Sequence, residues 1–158
     1  MDNRIIQPFI DATMKVLGTM AFVTPQVVEI TEWDNDRAVG EVVGIIGLSN
    51  ADEKIRGFLS VGFAEASIVQ IVSNMLGEEF TGICDEVREA VGEIANMISG
   101  QVRQSLSAQG IKLQASLPSV VSGKDLTMDG SLKRPSIMIQ FSVEKGPFEV
   151  GICIEGID

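Results

Sequence analysis

The segment from about residue 82 to 109, which contains DEVREAVGEIANMISGQVRQ, constrains the fold more than any other part of the chain. At about 100° per residue, Val87, Val91, Ile94, Ile98, Val102 and Ser105 fall on one side. Glu86, Glu89, Glu93, Asn96 and Gly100 fall opposite them, within about 80° of one another. The spacing predicts one long amphipathic helix ended by Gly110, with an apolar side that the rest of the molecule must cover.

The remaining segments supply that cover. Residues 4–20 place Ile6, Phe9, Ile10, Thr13, Leu17 and Met20 on one helical face, with Pro8 early in the helix. Strand-like runs follow at 26–33, 37–49 and 54–63, and the DND and NADE stretches between them read as hairpin turns. A second helix is expected over 64–77, stopped by Gly77. After the long helix, strands are expected at 111–123, 135–145 and 148–156. The KDLTMDGSLKR loop separates the first two, and Gly146-Pro147 turns the last pair. The order α-βββ-αα-βββ is that of an α+β fold, a largely antiparallel sheet with long helices packed on it. At 158 residues the whole chain, 1–158, reads as one domain. It shows a faint two-fold organisation, a helix and three strands repeated with one extra helix. Strands 135–145 and 148–156 lack the charges that blunt a sheet edge, so an edge that needs covering is expected.

Charge and composition narrow the chemistry. A net charge of −10 disfavours nucleic acid or an anionic membrane as partner and favours a basic patch on another protein. The chain holds no histidine, which removes Ser-His-Asp and Cys-His catalysis and imidazole-bound zinc. No phosphate-binding glycine loop precedes a helix, and VVGIIGLS lies within a strand. DNDR at 34–37 and MDGS at 128–131 read as turns and lack a calcium-loop pattern. No metal site is expected. Cys84 and Cys153 are expected as two buried thiols, and the N-terminus lacks a signal-peptide pattern, so a cytoplasmic location is expected. Met14, Met20 and Met75 read as core filler, whereas Met97 borders the acidic face and is a candidate contact for a partner.

The acidic stripe has a plain explanation, the wet side of an amphipathic helix. Two details count against it. Glu86, Glu89 and Glu93 repel mildly with no basic residue in the stripe to offset them. Asn96 is also a mediocre helix former that gains nothing locally by facing solvent.

Glu93-Ile94-Ala95-Asn96, followed 22 positions later by Pro118, resembles the E-x-x-N…P signature of the CheC/CheX/FliY family of chemotaxis phosphatases. PFIDATMKVLGTM is similar to the opening helix of the CheX branch, and the likeness covers nearly the whole chain. Two features depart from the pattern. Glu89 stands where the family has Asp or Ser, and the spacing from asparagine to proline is about one residue short of the usual. The resemblance implies hydrolysis of the aspartyl-phosphate of a CheY-type response regulator. In that role Asn96 orients the attacking water and Glu93 pairs with the receiver lysine. Glu86, Glu89, Met97 and Gly100 would meet the partner, and Mg²⁺ would come with the receiver, so no cofactor is expected in this chain. CheX relatives dimerise by sheet pairing across subunits, so the resemblance also implies a homodimer. CheC relatives carry two such sites. The first helix here offers only Asp11 and Met14 at the equivalent spacing, so one site is expected. The alternatives are a non-catalytic adaptor of the same fold that binds a receiver or switch protein, and a small-molecule domain using a cleft between sheet and helices.

Overall fold

The computed structural model describes residues 1–33, 39–127 and 135–157. Helix α1 (Asn3–Ala21) starts at Asp2, whose Oδ1 accepts the Arg4 backbone N–H at 2.9 Å. Pro8 lies in the second turn, so the Arg4 carbonyl lacks the N–H it would meet in a regular helix. Gln109 Nε2 donates to that carbonyl at 3.0 Å, which repairs the gap and ties α1 to the end of the long helix.

Strands β1 (Gln26–Glu32), β2 (Val42–Ser49) and β3 (Arg56–Phe63) follow, then helices α2 (Glu65–Leu76) and α3 (Asp85–Ala108). The chain closes with β4 (Gln114–Ala115), β5 (Ser119–Ser122), β6 (Ser136–Val143) and β7 (Gly146–Glu155). All seven strands form one antiparallel sheet in the order β1-β6-β7-β3-β2, with β4 and β5 both on the outer side of β2. The expected α+β fold is therefore present, and so is its two-fold plan. The β2–β3 and β6–β7 hairpins meet at β3–β7, and each half lends a strand to the other's hairpin, β1 to β6 and β5 to β2.

The sheet corrects four expectations. The first two strands are not a hairpin, because β1 pairs with β6 at the far edge; the DND turn and DNDR lie outside the described residues, as does MDGS. β6 and β7 are not edges either, since each is paired on both sides; among the described residues the edges are β1 at one side and β4 and β5 at the other. The last hairpin turns at Glu144-Lys145, so Gly146 and Pro147 open β7. The strand expected over 111–123 is also two pieces. Pro118 has no N–H to give a ladder, and the Ser116 hydroxyl instead accepts the Gly47 N–H at 2.8 Å between β4 and β5.

One sheet face carries the helices over the main core, which includes Val42, Ile46, Leu59, Phe63, Phe148 and Ile152. The layer where the small-molecule alternative would need a cleft is filled by side chains such as Phe9, Leu17, Leu59 and Ile94, all fully buried. The other face holds a small cluster of Trp33, Val39, Val43, Met138 and Cys153. Cys153 is buried as expected, but Cys84 is exposed at the start of α3, and the two form no disulfide.

In the small cluster the Trp33 ring crosses Gly151. A Cβ there would stand 2.4 Å from the Trp33 ring and 2.5 Å from Ser60 Oγ. Gly151→Ala should cost about 1–3 kcal/mol by overpacking and lower the melting midpoint by several degrees. Trp33 is the single tryptophan, so its emission should shift to the red. Unchanged emission and midpoint would show that the cluster is loosely packed.

Candidate functional site

The site begins with the rotation of α3. Val87, Val91, Ile94, Ile98, Val102 and Leu106 are fully buried along its length. Ser105 is exposed, against expectation, and Leu106 is buried under the last turn of the helix in its place. At roughly 1.5–3 kcal/mol for each buried aliphatic side chain, this stripe sets which face looks outward. Two glycines draw neighbours close. A Cβ on Gly44 of β2 would lie 3.1 Å from Ala95 Cβ, and one on Gly92 would lie 3.3 Å from Val120 Cγ2 and 3.7 Å from Pro118 Cγ. Pro118 thus packs beside α3 at Gly92, one residue before Glu93, next to the strand that meets Ala95.

Glu86, Glu89, Glu93 and Asn96 are all exposed on the opposite face. Among the described residues, none of the four makes a hydrogen bond or ion pair within the chain. The nearest cations are turned away. Arg88 binds Asp85 and reaches Ser122 Oγ at 3.4 Å, while Arg103 donates to Ser99 Oγ at 3.2 Å. Glu86 has a local role as well, since it and Asp85 lie in the first turn, where negative charge complements the helix dipole. Glu89 and Glu93 lie beyond that turn and gain little from it.

Glu93 and Asn96 are three residues apart on one face, so their Cβ atoms are about 5–6 Å from each other. Gly100, one turn further, has nothing within 4 Å of where a Cβ would stand, so the helix surface there is open. Met97 is half-buried and packs against the core rim, leaving part of its side chain beside the stripe. The counterpart positions on α1 are differently used. Asp11 accepts from Gln7 Nε2 at 2.8 Å, and Met14 packs on the core, so α1 offers no free amide at that point.

The sequence reading missed one feature. Between the stripe and the C-terminal ends of α1 and α2 lies a groove of about 300 Å³, lined by Met20, Met75 and Leu76 and by Glu86, Glu89 and Glu93. Met20 and Met75 fit the periodicity of a core, and Leu76, at helical spacing too, is nonetheless 47% exposed. Among the described residues, no group of three or more acidic or thiol side chains is arranged to hold a metal ion. No described helix is long and apolar enough to cross a membrane.

Fold and site together define a class: an antiparallel sheet roofed by helices that holds a carboxylate and a carboxamide outward on a rigid helix. The family model of the chemotaxis phosphatase CheX matches residues 42–142. The CheY-P phosphatase CheX of Thermotoga maritima is 26% identical over 127 residues, 80% of this chain and 80% of that protein. Among solved structures, a CheC-like superfamily protein from Shewanella sp. PV-4 superposes with a TM-score of 0.92 at 35% identity, covering 99% of this chain and 100% of the other. Chemotaxis protein CheX from Vibrio vulnificus gives 0.88 at 34% identity, covering 96% and 99%. The chain belongs to the CheX family of chemotaxis phosphatases.

Asn96 has no structural partner and is a poor helix former. Asn96→Ala should therefore leave folding stability unchanged or raise it by up to about 0.7 kcal/mol in urea unfolding. A clear loss would assign the side chain a structural duty.

Proposed function

We propose that this protein removes the phosphoryl group from the aspartyl-phosphate of a CheY-type response regulator, with Asn96 and Glu93 as the residues that do it. The observation that carries the assignment of residues is the free carboxamide of Asn96, exposed and without a hydrogen bond among the described residues, beside the equally free Glu93. An acyl phosphate is already reactive, and the Mg²⁺ and lysine around it belong to the receiver. What this chain must add is a water molecule in line with the phosphorus. The Asn96 amide suits that task, because its oxygen accepts a proton from water while its NH₂ donates to an oxygen. The same logic governs the glutamine that orients water in GTPases.

Glu93 pairs with the receiver lysine and fixes the depth to which α3 enters, while Glu86 and Glu89 add attraction toward that cationic point. Gly100 and the exposed part of Met97 give the receiver surface room to close on the helix. Positioning of this kind contributes roughly 10²–10³ in rate. On this reading the protein works where its receiver resides, in the cytoplasm.

A homodimer belongs to the same reading, with its contact moved to the bare strand. β1 leaves its outer edge unpaired and exposes Val27 at 40%, Val28 at 62% and Ile30 at 44%. Glu29, Glu32 and the bulge at Val28 blunt this edge only in part, and its three exposed aliphatic side chains favour pairing with a second copy.

Two experiments test these statements. Phosphate release from phosphorylated receiver should fall about 10²–10³-fold in Asn96→Ala with receiver affinity retained, whereas Glu93→Lys should lose binding by opposing two cations. Equal loss of binding and hydrolysis in Asn96→Ala would refute water positioning, and tight binding without any hydrolysis by the unaltered protein would favour the adaptor reading. For the dimer, Val28→Lys should sediment as a monomer; an unchanged mass would move the contact elsewhere.

A further inference from the structure

We infer that the groove beside the acidic stripe is the docking site for a basic and apolar surface element of the receiver, and that it sets which receiver the protein accepts. The inference rests on the proposed function and adds a second point of contact to it. The floor is formed by Met20 from the end of α1 and by Met75 and Leu76 from the end of α2. The wall is the Glu86, Glu89 and Glu93 side of α3.

Three observations select the occupant. The wall is acidic and free of intramolecular ion pairs among the described residues. The last turns of both α1 and α2 contain no basic residue, so the negative ends of two helix dipoles add to that field. The floor is soft and apolar, with two methionines that adapt to the shape of an inserted side chain. Together these fit an apolar side chain accompanied by a lysine or arginine, which would fill the floor and face the wall at once.

Continuity identifies where that element sits. Glu93 belongs to the groove wall and also stands one turn from Asn96, so a receiver whose phosphorylation pocket covers Asn96 must lie over the groove. One exposed helix face is also narrow for a specific contact, which typically needs about 800 Å² from each partner. The groove supplies adjoining surface that a receiver can bury without moving off the amide. Methionine and leucine in the floor confer selectivity by fit, while the three carboxylates speed encounter with any basic surface.

Leu76→Lys tests this, because Leu76 is half exposed at a helix end and its replacement leaves the core intact. In steady-state phosphate release the variant should raise KM for phosphorylated receiver roughly tenfold or more, with kcat at saturation within about twofold. Leu76→Ser, which removes the apolar contact without adding charge, should raise KM in the same direction and guards against misfolding of the lysine variant. An unchanged KM in a folded variant overturns the inference, as does loss of self-association with KM unchanged, which would give the groove to a second copy of this chain. If Asn96→Ala lowers kcat while KM of Leu76→Lys stays put, the groove assignment fails and the phosphatase reading stands. If no protein releases phosphate but Leu76→Lys still weakens receiver binding, the reverse holds.

Discussion

The helix α3 can serve a partner only because it is prevented from turning about its own axis. Six aliphatic side chains, from Val87 to Leu106, are fully buried along it. Gly44 and Gly92 let a strand and the Pro118 segment press against it. A rotation of one residue, about 100°, would bring Ile94 or Ala95 to the surface and send Glu93 toward the sheet. The energy of core burial is thus what holds the two polar groups in register, and the site needs no hydrogen bonds of its own to be ordered.

This division of labour suits a site that is incomplete by design. Asn96 and Glu93 keep their hydrogen-bonding capacity unspent within the chain, and the nearby arginines are engaged with Asp85, Ser122 and Ser99. Carboxylates left without internal cations raise the local negative potential, which a basic partner relieves on arrival. Under the proposed mechanism, the same economy lets a chain without histidine take part in phosphoryl chemistry, because the reactive groups would come with the substrate and this protein would contribute placement.

Features set by neighbours in sequence were legible, and features set by distant neighbours were not. The α3 stripe from Val87 to Val102, Gly77 at the end of α2 and the β2–β3 hairpin all follow from local periodicity or turn chemistry, and each lies where that reading put it, while Leu106 takes the place expected for Ser105. The partner of β1 could not be read, because Gln26–Glu32 carries no mark that distinguishes Val42–Ser49 from Ser136–Val143 as its neighbour. β6 and β7 looked like edges because apolar alternation is the same for a strand paired once and a strand paired twice. The groove escaped notice for a related reason. Met20, Met75 and Leu76 have core spacing, and only the convergence of three helix ends shows that they are left open.

The strand exchange has a consequence for biosynthesis. As the nascent chain emerges, β1 leaves the ribosome about 110 residues ahead of its partner Ser136–Val143. At about 5–20 residues per second, the delay is on the order of ten seconds. Throughout it β1 has no strand to lie against, so the growing polypeptide carries an adhesive ribbon that chaperones or a rapid collapse onto α1 must shelter until Ser136–Val143 has emerged.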